Sequence, residues 1–169
     1  RGRNQEDATV KPTYDELAAW IDEYFDEFNK YGQDPAEIHR MDKYFSKNVV
    51  YNPFIAYVGK VEGRDNWYKV LTSHPSGIER LTPEHLVIDE RRLVFVAQIR
   101  TDIIDRDTQE LLLTKRYLCH YPLVEEDGTI KIERLDFFWE ILPAGALEID
   151  DVFERDWKNN PEGPQRKQA

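Results

Sequence analysis

The sequence predicts an α+β fold, in which three helices pack on one face of a strongly curved antiparallel sheet. Helical patterns dominate residues 13–73, and four long alternating patterns fill residues 79–142. The connections between those four patterns, DERR, DRDTQE and EEDG, are short and turn-like, which is typical of an antiparallel meander. Helices followed by a run of strands indicate an α+β domain.

The first helix begins at a capping box. Thr13 and Glu16 have the spacing at which the hydroxyl of one residue and the carboxylate of the other satisfy free backbone amides. Gly32 ends the helix. Its buried stripe follows steps of three and four residues and consists of Tyr14, Leu17, Ala18, Ile21, Tyr24, Phe25 and Phe28.

Two further helices and a short strand come next. Asp34 and Pro35 predict the start of a second helix. The segment NVVYNPF (48–54) predicts a strand that is broken by Pro53, and residues 64–73 predict a third helix with Trp67 on its apolar side.

The remaining elements are strands 79–89, 93–104, 111–124 and 129–142. We therefore expect one domain over residues 13–142, an N-terminus over 1–12 that is disordered or foreign to the natural chain, and an acidic C-terminal extension over 143–169 whose last part is disordered. A helix laid across a strongly bent sheet leaves a cone, and its open end can hold a ligand.

Composition excludes several classes of partner. The 169 residues carry a net charge of -10, which repels nucleic acid and anionic membranes. The lone Cys119 indicates a reducing compartment, and no apolar run reaches the length of a membrane helix, so we expect a cytoplasmic protein. The four histidines lack metal-ligand spacing, so no metal site is expected.

Two opposite charges lie in the stretch QIRTDII. Arg100 and Asp102 are two residues apart and share one face of their strand. That face also carries Val94 and Val96, while the opposite face is more uniformly apolar. The pair therefore either lies inside the cone or forms an ion pair of little consequence on the outside.

The last strand contains a second unusual acid, Asp136, within RLDFFWE. Its neighbours Leu135, Phe137, Phe138 and Trp139 make a solvated carboxylate there less expected, so Asp136 is a candidate site residue.

The order of elements resembles the nuclear transport factor 2-like superfamily, including its SnoaL-like polyketide cyclase branch. The motifs that carry the resemblance are DKYFSKNVVYNPF, VGKVEGRDNWYKVL and GTIKIERLDFFWE, within residues 13–142. The resemblance implies a cone-shaped fold of the cystatin-like α+β barrel type, a small hydrophobic or aromatic substrate, no cofactor and a homodimer. The superfamily includes isomerases, dehydratases, cyclases, epoxide hydrolases, lyases and binding modules, so the fold does not decide the function.

Two branches imply site residues. In the limonene-epoxide-hydrolase branch an Arg-x-Asp meets an Asp of the last strand, and Arg100-Thr101-Asp102 and Asp136 are similar in type, order and spacing. That branch also uses a Tyr and an Asn two residues apart, whereas Tyr51 and Asn52 are adjacent here. The scytalone-dehydratase branch uses two strand histidines, to which His85 and His120 are similar. The expected catalytic residues are Asp136, Asp102, Arg100, Tyr51 and His120, and the expected substrate-binding residues are Asn52, Trp67, Tyr24, His85 and Phe138.

Two carboxyls held by one guanidinium could run an acid step and a base step together. We therefore expect a cofactor-free lyase that dehydrates a small aromatic, hydroxylated molecule or cleaves a carbon–carbon bond to release a small aldehyde, as the superfamily's lyases of lignin-derived diarylpropanes do. The alternatives are an epoxide hydrolase on the Asp-Arg-Asp set, an isomerase or cyclase, and a non-catalytic ligand-binding or dimerisation module.

Overall fold

In a computed structural model the chain is described over residues 11–54, 59–140 and 144–160. The chain forms helix α1 (Tyr14–Tyr31), a 3-10 helix (Ile38–Lys43), strands β1 (Phe45–Asn52) and β2 (Val61–Glu62), helix α2 (Arg64–Leu71), strands β3 (Gly77–Asp89), β4 (Val94–Asp105), β5 (Leu111–Glu126) and β6 (Thr129–Trp139), and helix α3 (Ile149–Trp157). The six strands lie in the order β2-β1-β6-β5-β4-β3.

The predicted meander is confirmed for β3 to β6, which pair antiparallel in sequence order. The sheet as a whole is mixed, because β1 pairs with β6 in parallel and with β2 antiparallel. Over the described residues the sheet is open rather than closed into a barrel. The α+β class and the cone-shaped arrangement agree with the prediction.

Helix α1 has the predicted ends. Thr13 is the N-cap, and both bonds of the capping box with Glu16 are present. Gly32 is the C-cap, and its amide donates to the carbonyl of Phe28. The helix buries Leu17, Ile21, Tyr24, Phe25 and Phe28, whereas Tyr14 is exposed. The second helix differs from the prediction, because only a 3-10 segment forms and it begins after Glu37.

The inner face of the sheet is the more apolar face of β4. Phe95, Ala97, Ile99, Thr101 and Ile103 are buried, while Val94, Val96, Gln98, Arg100 and Asp102 alternate with them on the outside. Burial of the uniformly apolar face removes more apolar surface from water, which stabilises this orientation. Arg100 and Asp102 therefore point away from the cone.

Helix α3 was not predicted. Glu148 and Asp151 form a capping box at its start, and Ile149, Val152 and Phe153 are its buried residues. The helix is held near the start of β3, where the ring of Phe153 stacks on His74 at 3.9 Å between centroids. Gly77 permits this approach, because a Cβ there would lie 3.2 Å from the Phe153 ring. Residues 1–10 and 161–169, for which we expect loose ends, lie outside the described residues.

Candidate functional site

A cavity lies at the end of the cone between the inner face of the sheet, α2 and α3. The volume of the cavity is about 60 Å³. Its wall is mostly aromatic and is formed by Tyr51, Trp67, Val70, Leu71, His74, Glu79, Tyr117, Phe137, Trp139, Ile149, Asp150, Phe153 and Trp157. A largely apolar concavity with a few polar groups has the composition of a small-molecule site.

Two predicted site residues form one side of this cavity. Tyr51 extends from β1 and Trp67 from α2, and their rings stack with centroids 4.3 Å apart. Phe137 of β6 contacts the edge of both Tyr51 and Tyr117, with 5.5 Å between centroids in each pair. These contacts fix the orientation of the aromatic wall, because every ring is held by another ring.

Glu79 brings a carboxyl into this apolar wall. The side-chain amide of Gln33 holds the strand here, since it donates to the Glu79 carbonyl at 2.7 Å and accepts from the Glu79 amide at 2.8 Å. Burial raises the pKa of Glu79 from 4.5 to about 7. Although the side chain retains some exposed surface, it lines the cavity rather than the outside of the protein. A carboxyl with this pKa exchanges protons readily at neutral pH.

Three other polar residues line the same cavity as Glu79. His74 is buried, and its Nδ1 lies 2.8 Å from the carbonyl oxygen of Gly77. Burial lowers the pKa of His74, so the imidazole is favoured in its neutral form. Burial also raises the pKa of Tyr117, which keeps its phenol protonated. Asp150 enters from the first turn of α3 and is 2% exposed.

The predicted Asp-Arg-Asp set is not formed. Arg100 and Asp102 make an ion pair at 3.4 Å on the outer face, and the Thr114 hydroxyl donates to Asp102 at 2.7 Å. Of the two alternatives that the sequence left open, the ion pair on the outside is the one that forms. The placement in the cone, on which the expected catalytic roles depended, is wrong because the opposite face of β4 packs in the core.

Asp136, His120 and Asn52 do come together, but also on the outer face. The Asp136 carboxylate lies 3.0 Å from Nδ1 of His120, accepts from Nε of Arg134 at 2.9 Å, and accepts from Nδ2 of Asn52 at 3.4 Å. Burial alone would raise the pKa of Asp136, but the hydrogen bonds from His120 and Arg134 together lower it below its ordinary value. The buried carboxylate thus has hydrogen-bond partners in three neighbouring side chains, and none of these four residues lines the cavity.

The three remaining predicted residues also lie away from the cavity. Tyr24 is 1% exposed and packs in the core against Tyr44, Phe45 and Tyr121. His85 is exposed and lies opposite Gln98 on the outer face. Phe138 is 48% exposed there and stacks on Phe54 at 4.8 Å.

Sequence reasoning missed Glu79, His74, Tyr117 and Asp150. One available signal was the two-residue spacing at the start of β3, which places Glu79 on the same face of the strand as Gly77 and Leu81. Asp150 gave no comparable signal, because it lies in the acidic segment for which no fold was expected. Asp150 reaches the cavity only because α3 covers the end of the cone.

Among the described residues no group of three or more His, Cys, Asp or Glu side chains could hold a metal ion. None of the described helices combines the length and the hydropathy that crossing a membrane requires.

Several solved structures are similar to this chain. ActVI-ORFA from Streptomyces coelicolor has a TM-score of 0.56 at 14% identity, over 75% of this chain and 97% of its own. SalBIII, an epoxide hydrolase/cyclase-like enzyme in pyran ring formation in the polyether salinomycin, has a TM-score of 0.54 at 17% identity, over 75% and 92%. A putative isomerase from Bacillus subtilis has a TM-score of 0.54 at 15% identity, over 75% and 88%.

The chain has the nuclear transport factor 2-like fold. No protein-family profile and no curated protein sequence matches it. SalBIII is described as an epoxide hydrolase/cyclase-like enzyme and the Bacillus protein as a putative isomerase, so this fold occurs in proteins described in those terms. At identities below one fifth the similarity concerns the fold alone, and the chemistry must be argued from the cavity.

Proposed function

We propose that the protein is an acid–base enzyme that transfers a proton within a small, largely apolar, oxygenated molecule bound in the aromatic cavity. Glu79 is the residue that transfers the proton. The observation that carries the proposal is its position: a carboxyl in an aromatic wall, with a pKa raised by burial to about 7. Such a group is half ionised at neutral pH, so it can accept a proton and return it.

The cavity wall also contains uncharged side chains that can donate hydrogen bonds to a substrate beside Glu79. Tyr117 keeps its phenol proton because burial raises its pKa, and Tyr51 lines the same cavity. A phenol can donate a hydrogen bond to a substrate oxygen on which negative charge develops, and the apolar surroundings strengthen that bond. The lowered pKa of His74 favours its neutral form, so this residue adds no fixed charge to the site.

The reaction that the sequence predicts, an elimination or a carbon–carbon cleavage, remains part of the proposal. A lyase needs a base to remove one proton and an acid to protonate a leaving group. Glu79 supplies the first function, and Asp150, the other carboxyl in the wall, is the candidate for the second. An isomerisation or ring closure needs Glu79 alone, because the same group takes and returns the proton.

One probe separates these reactions: the aldol adduct of benzaldehyde and acetone, incubated with the protein in deuterated water. Dehydration gives the conjugated enone, carbon–carbon cleavage gives benzaldehyde and acetone, and proton transfer alone exchanges the hydrogens beside the carbonyl. We expect Glu79→Gln to abolish all three. Glu110→Gln, a matched change at an exposed residue of the β4–β5 turn, should leave them unchanged.

Full turnover by Glu79→Gln would refute the proposal. Binding can be followed separately, because Trp67, Trp139 and Trp157 line the cavity and their fluorescence reports occupancy. Tight binding of the probe without any of the three reactions would instead support a ligand-binding module.

We also propose that the protein is a cytoplasmic homodimer. The outer sheet face supports the dimer, since it exposes Phe54, Leu118 and Phe138, of which the first and last stack on each other. The buried, unpaired Cys119 suits a reducing compartment. Sedimentation of the wild type and of Leu118→Arg tests the dimer, which should dissociate in the variant.

A further inference from the structure

Lys115 is a buried lysine that the acid–base proposal does not use. It lies on the inner face of β5, two residues before Tyr117, and is 3% exposed. A lysine is rarely buried to this degree, because removing an ammonium ion from water is costly. Solubility, the usual reason for a lysine, therefore does not explain its position on the core side of the sheet.

The neighbours of Lys115 connect it to the cavity. Its Nζ lies 5.8 Å from the centre of the Trp139 ring, and Trp139 is part of the cavity wall. The ammonium pairs with the carboxylate of Glu148, the N-cap of α3, and the next two residues, Ile149 and Asp150, line the cavity. Lys115 does not itself line the cavity, and its amine lies beside the wall on a flexible four-carbon side chain.

Burial and the nearby carboxylates shift the pKa of Lys115 in opposite directions. Burial lowers the pKa of the amine, while the carboxylates of Glu140 and Asp150 act in the opposite direction, and the net shift is downward. Glu148 is the third carboxylate that faces it. An amine of this kind has a nearby base for its proton and loses that proton more easily than a surface lysine.

We propose that Lys115 is a catalytic nucleophile that forms a Schiff base with the carbonyl group of a β-hydroxy aldehyde or ketone bound in the cavity. The proposal rests on the proposed function, since it assumes that the aromatic cavity is the substrate site. It deepens that function by naming the substrate class and a route to the release of an aldehyde.

The chemistry balances without a cofactor. The Lys115 ammonium passes a proton to the Glu148 carboxylate, and the amine attacks the carbonyl carbon. As the carbon–nitrogen bond forms, the π bond of the carbonyl breaks, and its oxygen takes a second proton from the attacking nitrogen to become a hydroxyl. The proton held by Glu148 returns to this hydroxyl, which departs as water and leaves an iminium ion. The bond between the α and β carbons then breaks: its electron pair forms an enamine, and the β-hydroxyl gives its proton to Glu79 and becomes an aldehyde. Glu79 returns the proton to the α carbon, which restores an iminium ion, and addition of water to that ion releases the ketone and the Lys115 ammonium.

Acetylacetone tests the reactivity of Lys115, because this small diketone condenses with an unprotonated amine to a conjugated product that absorbs in the near ultraviolet. The wild-type protein is treated at neutral pH, and the adduct is located by peptide mass spectrometry. We expect the adduct at Lys115 before any other lysine, and its loss in Lys115→Arg. Lys131→Arg, at another partly buried lysine, should retain it.

The surface lysines serve as an internal standard within the wild-type protein, so the result does not depend on the folding of a variant. Adducts at surface lysines while Lys115 stays unmodified would overturn the proposal. The Glu79→Gln variant separates the Schiff-base proposal from the proposed function. In this variant acetylacetone should still label Lys115, but the aldol of benzaldehyde and acetone should not be cleaved. If Glu79→Gln cleaves as well as the wild type while Lys115 is labelled, the role of Glu79 fails and that of Lys115 stands.

Discussion

Replacement of Glu79 by glutamine should stabilise the protein in alkaline solution while it removes activity. The carboxyl has a pKa of 4.5 in an exposed chain and about 7 in the folded protein. Each unit of that difference corresponds to about 1.4 kcal/mol, so ionised Glu79 lowers the free energy of unfolding by roughly 3 kcal/mol at most. Glutamine has a similar shape and never ionises, which removes this cost.

The direction follows from proton binding. Between pH 4.5 and about 7 the folded protein holds a proton on Glu79 that the unfolded chain has lost. Stability from this group is therefore complete below pH 4.5, falls as the pH rises through this window, and reaches its minimum above the folded pKa. The unfolding free energy of the Glu79→Gln variant should not show this fall with pH.

Urea denaturation of the wild type and Glu79→Gln at about pH 5 and about pH 8.5 tests the prediction. We expect a small difference in unfolding free energy at the lower pH and a gain of roughly 2–3 kcal/mol for the variant at the higher pH. Glu110→Gln, at an exposed residue, should show no pH-dependent difference. The same difference at both pH values would show that burial does not raise the pKa of Glu79 and would refute the reasoning.

Three further outcomes are expected. Asp136→Asn should retain activity but lose roughly 1–3 kcal/mol of unfolding free energy at neutral pH, because it weakens the hydrogen bonds to His120 and Arg134. The pKa of Asp136 is lowered in the folded protein, so urea denaturation should show that this deficit shrinks in acid. Asp102→Asn should change the unfolding free energy by less than about 1 kcal/mol, because its ion pair with Arg100 is partly exposed; a large loss would contradict its outer position. Phe153→Ala should lower the free energy of unfolding by roughly 3 kcal/mol and let the cavity bind larger ligands, as measured by tryptophan fluorescence. Lys158→Ala, at an exposed residue after the C-terminal end of α3, should have neither effect.

The elements of the fold could be predicted because their signals are local. The capping box of Thr13 and Glu16 and the three- and four-residue spacing behind it define α1 wherever the helix packs. The alternation in β3 to β6 and the short turns between them define the meander in the same way. Helix α3 was not predicted because its few apolar residues lie in an acidic segment. Its stability depends on packing against His74 and Gly77.

The site was predicted only where a side chain belonged to an unambiguous element. Trp67 on the apolar side of α2 and Tyr51 on the buried side of β1 do reach the cavity. Arg100 and Asp102 were misplaced because both faces of β4 carry apolar residues, and a one-residue difference in which face packs inward moves every side chain to the opposite surface. Asp136 was misread because apolar sequence neighbours alternate between faces, while its actual partners come from β1 and β5.

The sequence by itself determined the five longer strands, the first helix and the α+β class, since these depend on periodicity and capping within one segment; the two-residue strand β2 was not predicted. Only the tertiary structure decided the inner face of the sheet, because that choice depends on which surface the helices cover. It also decided the composition of the cavity and its surroundings: Glu79 at the start of β3, Lys115 in β5 and Asp150 in α3 are distant in the chain, and they come together because the sheet curves and α3 closes its end.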